Sequence, residues 1–171
     1  MKTAKNFGIL FILLTVIQIL ISNFCNFSEY LIISIMPVCI FCLPLSVGTI
    51  PAMFIAFASG LSIDWLTEGV IGLNALSLVP VALSRNALIR ILLGENHIVR
   101  QEDITIRKNG LAKISLCIVF SLAVFLGIYI IADGAGTRPL GFNIIKFIVS
   151  LALGFVLSLI VANTLMAQEK K

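Results

Sequence analysis

Few residues in this sequence have the type and spacing that chemistry requires. Asp64 closes an apolar run, and Asn74, ten residues on, is the nearest neutral polar side chain on the same side. A carboxylate at the edge of an apolar layer is costly there and marks a candidate functional position. The alternative is an interfacial acid facing water beside Trp65. Between them, Thr67 and Glu68 have the form of a helix start, a cap followed by an acid in the first turn. His97, the single histidine, stands beside Glu95 with Glu102 and Asp103 close behind. A metal site or an acid–base pair needs more convergent ligands than this, so His97 reads as a solvated loop residue.

The cysteines invite a redox or metal reading, chiefly Cys39-Ile40-Phe41-Cys42. That pair lies within an apolar segment, has no second pair, and lacks the soluble βαβ setting that gives the motif redox meaning. With Cys25 and Cys117 it reads as small apolar packing. Gly134-Ala135-Gly136-Thr137 lacks the Lys-Ser/Thr ending of a phosphate loop and reads as a turn. No paired catalytic groups emerge. The expectation is a protein that is not an enzyme and needs no cofactor or metal.

The elements that carry these residues follow from composition. Of 171 residues, 60% are hydrophobic and 12% charged, with a mean hydropathy of +1.13. A soluble domain is nearer half apolar and a quarter charged. The net charge of +4 is small and scattered, which excludes a surface that tracks nucleic-acid phosphates. An all-α, polytopic membrane helix bundle remains. At about 20 apolar residues per crossing, the chain holds about six spans in a single membrane domain. They fall near residues 7–22, 30–43, 47–66, 70–93, 114–132 and 142–167. The first follows Lys2 and Lys5 but precedes no cleavage site, so it reads as a retained span. The second is the shortest, with Pro37 inside it and Pro44 and Pro51 beyond. A kinked hairpin of two full spans and a re-entrant loop are the competing forms.

Charge placement favours the hairpin. Ten of the twelve Lys and Arg residues lie at the two termini or between Arg85 and Lys113. The positive-inside rule places all these regions in the cytoplasm if the crossings between Lys5 and Arg85 are even in number. Both termini and loop 94–113 are then cytoplasmic, with Tyr30 and Trp65 at the outer interface. Arg138 and Lys146 are the two exceptions. Arg85, Asn86 and Arg90 oppose Leu83, Leu88, Ile91 and Leu92, a pattern that suits an interfacial helix whose Arg side chains snorkel to headgroups.

Two stripes of small residues stand out. Ala52, Ala56, Gly60 and Asp64 recur every four residues in the third span, and Ser150, Gly154, Ser158 and Ala162 do so in the sixth. In lipid, close backbone approach along such faces supplies the packing. Each stripe is expected to hold this chain's own helices together, with a partner's helix as the alternative occupant.

Val47-Gly48-Thr49, Ala58-Ser59-Gly60-Leu61-Ser62-Ile63-Asp64-Trp65-Leu66 and Gly72-Leu73-Asn74-Ala75-Leu76-Ser77-Leu78 together resemble the rod shape-determining MreD family. That family carries Gly-Leu-x-x-Asp at the end of one membrane helix, a short outer loop, and a Gly-Leu- or Leu-Gly-led helix after it. The resemblance is best over residues 43–93, while length, hydropathy and basic tail agree throughout. It implies a non-enzymatic bacterial inner-membrane scaffold of the elongation machinery, acting in cell-shape maintenance and peptidoglycan synthesis. The implied partners are an MreC-like bitopic protein and, through it, the MreB filament and RodA with a class B penicillin-binding protein. Gly60, Asp64, Gly72 and Asn74 are the implied motif and partner-contact residues. The family is also similar to the six-helix substrate-binding subunits of energy-coupling-factor vitamin transporters. A subunit binding a vitamin-like ligand is therefore the alternative function.

Overall fold

The computed structural model describes residues 2–24, 31–67, 70–94, 110–134 and 138–168. These form six helices, α1 (Lys2–Phe24), α2 (Met36–Phe41), α3 (Thr49–Leu66), α4 (Leu73–Leu88), α5 (Leu111–Gly134) and α6 (Leu140–Gln168). A π-helical turn, Ile89–Leu93, extends α4. Among the described residues, four helices are long and apolar enough to cross a membrane: α3, α4 with its extension, α5 and α6. The apolar part of α1, Gly8–Phe24, is shorter. Their outer faces are rich in exposed Ile, Leu, Val and Phe, as lipid requires of a membrane-embedded bundle.

The chain runs up and down. One end gathers the C-termini of α1, α3 and α5, because Asn23 Nδ2 donates to Leu66 O and Lys146 of early α6 meets Asp133 of late α5. The other end gathers the residue 43–49 turn and the C-terminus of α4, where Asn86 Nδ2 donates to Thr49 Oγ1 at 2.7 Å. Two apolar clusters fill the interior. One is centred on Phe41, Cys117, Ile118 and Leu122, the other on Met36, Ile63, Leu78 and Phe125.

The second apolar segment departs from expectation. Residues 31–35 are not helical, and the helix that follows has six residues, in place of a span over 30–43. Pro37 is the cause. It sits at the start of α2, and a helix continued through it would lack a donor for Ile33 O and would clash there. Non-helical backbone at membrane depth survives only where protein satisfies it. Gln18 does this from α1: its Nε2 donates to Ile33 O at 3.0 Å and its Oε1 accepts from Ile35 N at 2.8 Å. Ser150 Oγ of α6 accepts from Ile32 N at 2.9 Å. From beside Gln18 and Ser150 the segment runs to the residue 43–49 turn, half extended and half helical.

Candidate functional site

The turn between α3 and α4 brings Gly60, Asp64, Gly72 and Asn74 together. Gly72 stands at the N-cap of α4, and its φ of +94° lies in the left-handed region that glycine enters without strain. The first amides of a helix have no partner within it. Here a carboxylate from the preceding helix accepts them. Asp64 takes the backbone N–H of Gly72 at 3.0 Å, of Asn74 at 3.1 Å and of Ala75 at 3.3 Å. It also accepts Asn74 Nδ2 at 2.8 Å. Four donors converge on one side chain that is 3% exposed, while its neighbour Trp65 is 75% exposed. Asp64 is therefore not an acid facing water beside Trp65. It holds the positive end of the next helix dipole.

One turn back, Gly60 lets the two backbones meet. A Cβ on Gly60 would lie 2.5 Å from Ala75 Cα and 2.6 Å from Ala75 N. Ala52, Ala56 and Asp64 continue the same buried stripe. The stripe thus packs on this chain's own α4. The stripe on α6 is buried as well, through Ser150, Gly154, Ser158 and Ala162. It is occupied internally too. Ser150 binds the extended segment, and a Cβ on Gly154 would make ordinary contact with Leu122 Cδ2 of α5 at 3.6 Å.

At the opposite end, Arg85 is inside the bundle and not at the interface. It is 1% exposed, whereas Leu83 and Ile91 on the same helix are 58% and 78% exposed. The expected opposition of polar and apolar faces does not hold: Arg85 and Leu88 turn inward together, while Arg90, Leu83 and Ile91 are exposed. The guanidinium donates from Nε to Phe41 O at 3.2 Å, from Nη1 to Val47 O at 3.3 Å, and from Nη2 to Leu43 O. It gathers the last carbonyls of α2 and the turn after it, groups that a six-residue helix leaves open. The planar fork suits such divergent acceptors better than an ammonium.

Arg138 and Lys146, the exceptions to the charge rule, both meet Asp133. Lys146 Nζ lies 3.0 Å from Asp133 Oδ2 with its side chain 7% exposed, and Arg138 Nη1 lies 3.4 Å away. Arg138 also stands 5.3 Å over the Phe142 ring. Removing one partner of a buried ion pair leaves an uncompensated charge. Asp133→Asn should cost about 1–3 kcal/mol, below the fully buried case because Asp133 is 24% exposed. Lys146→Met added to it should recover most of that loss in detergent melting, and no recovery would mean that the pair is not the source.

No family model, curated protein or solved structure matches this chain. Its chemistry is therefore read from its own side chains. Cys39, Cys42 and Cys117 are buried thiols, and no group of three metal-ligating residues occurs among the described residues. Cys25, Tyr30, Glu68, His97 and most of loop 94–113 lie outside the described residues, as do Ala135, Gly136 and Thr137. Gln18 and Arg85 were the residues that pattern reading undervalued. The available signal was a polar side chain inside an apolar run, which in lipid needs a partner.

Proposed function

We propose that this chain is a non-enzymatic scaffold of the bacterial inner membrane, acting in the elongation machinery as the resemblance to MreD implies. In this reading the chain makes six crossings, five by helices and one by the segment 31–43, with both termini and loop 94–113 in the cytoplasm. The same resemblance implies an architecture like that of energy-coupling-factor substrate-binding subunits. The partner is an MreC-like bitopic protein, and through it the MreB filament and RodA with its class B penicillin-binding protein.

The observation that carries the reading is the α3–α4 corner. The four residues that match the family motif form a single unit, with Gly60 against Ala75 and Asp64 bonded to Gly72 and Asn74. Their polar groups are consumed by each other, which fixes a shape and leaves no reactive group aimed outward. Fixed shape is what a scaffold needs. The alternative, a ligand-binding transporter subunit, draws on Tyr129, which lies within electrostatic reach of both Asp64 and Asp133, and on buried Lys146 at the same end.

Affinity capture of the tagged full chain from native membranes in mild detergent distinguishes the two. Recovery of a bitopic MreC-like protein, with rounded cells on deletion of the chain, is expected. Recovery of paired ATPase subunits with normal cell shape would overturn the scaffold in favour of the transporter.

A further inference from the structure

Ser34 and Ser158 are 5% and 0% exposed, and neither hydroxyl has a hydrogen-bond partner among the described residues. An unpaired buried hydroxyl is costly, so such atoms are rare and commonly meet water. Other serines of this chain avoid that cost locally. Ser59, Ser62, Ser77, Ser84 and Ser121 each donate to a carbonyl three or four residues back. Ser158 makes no such bond. Gln18 does not serve Ser34, since its amide is engaged with Ile33 O, Ile35 N and Ser22 Oγ.

The two hydroxyls belong to one seam. The extended segment meets Ser150 of α6 at Ile32 N, and beyond it Val38 and Phe41 share a cluster with Ala162 and Leu165. The segment therefore runs alongside α6 in the same direction, with Ser34 and Ser158 between those two contacts. From Ile32 to Ser34 the extended chain advances about 7 Å, and from Ser150 to Ser158 the helix advances about 12 Å. The offset along the seam is about 5 Å, too long for a direct hydrogen bond and within the span of one bridging water. Gly154 lies between the two serines of α6. A Cβ there would have only Leu122 Cδ2 within 4 Å, so the segment does not close onto the helix at that level. We propose that this seam binds a buried water that bridges the hydroxyls of Ser34 and Ser158. Residues 31–43 and 147–167 contain no Asp or Glu, which leaves a cation without a counter-charge, whereas water donates and accepts as the hydroxyls do. The inference is independent of the scaffold role.

Melting of the full chain in detergent tests it through the sign of the change. A dry hydroxyl without a partner destabilises, so its removal would raise the melting temperature. A hydroxyl that holds water loses a bond on removal. Ser34→Ala and Ser158→Ala should therefore each lower the melting temperature by about 2–4 °C. The double variant should fall about as far as one of them, because both changes break a single bridge. Ser34→Ala combined with Ser121→Ala, whose hydroxyl bonds its own helix, should be additive. A structure at a resolution that shows ordered water should hold density within hydrogen-bond distance of both hydroxyls. A rise in melting temperature for either single variant, additive losses in the Ser34–Ser158 double variant, equal coupling to Ser121→Ala, or a direct bond between the two hydroxyls would overturn the proposal.

Discussion

Gly60→Ala is expected to lower stability by about 3 kcal/mol or more, a large effect for a single methyl group. Overpacking usually costs about 1–3 kcal/mol because side chains can rotate or shift to make room. At Gly60 the new Cβ would lie within 2.9 Å of three backbone atoms, Ala75 Cα, Ala75 N and Asn74 C. Backbone atoms have no rotamer to change, so α3 and α4 must separate. Separation would also pull Asp64 from Gly72 and Asn74, so the loss compounds. Gly154→Ala is the matched control, since its Cβ would rest at ordinary contact distance from a flexible Leu122 methyl. Melting in detergent and membrane yield should show Gly60→Ala strongly impaired and Gly154→Ala near wild type. Equal behaviour would show that the α3–α4 approach is looser than the structure has it.

Asp64→Asn should cost about 2–4 kcal/mol, and Asp64→Ala more. Hydrogen bonds to a charged acceptor contribute about 1.5–3 kcal/mol each, and they do not add fully when they share one carboxylate. Asparagine keeps one oxygen but turns an NH2 group towards amides that are themselves donors. Two repulsive contacts then replace two bonds. Asn74→Ala removes only its own 2.8 Å bond and should cost about 1 kcal/mol. The expected order of melting temperatures is wild type, Asn74→Ala, Asp64→Asn, Asp64→Ala. Partner recovery should be compared only between variants of equal membrane abundance, because a corner that has come apart loses any partner trivially. An Asp64→Asn protein that melts like wild type would show that the carboxylate is not the staple of α4.

Much of this molecule was legible in its residues. Hydropathy and charge placement define an all-helical membrane bundle, because an apolar helix is almost the only way to bury backbone in lipid. The four-residue repeat of Ala52, Ala56, Gly60 and Asp64 marks the face of α3 that meets another helix, since residues four apart share one side. Pro37 marks a kink in the second apolar segment, though not that residues 31–35 are extended. What tertiary structure decided is where each polar group finds its partner. Gln18 and Ile33 are fifteen residues apart, and Ser150 and Ile32 are 118 apart. No periodicity encodes such pairings. Asp64 and Arg85 show the same division. Sequence places each at the margin of a span, where exposure to water or headgroups costs least. Only the fold shows both side chains turned inward, Asp64 onto the open amides of α4 and Arg85 onto the open carbonyls of α2. A helix end buried in a bundle must be satisfied by some side chain, and three-dimensional proximity selects which one.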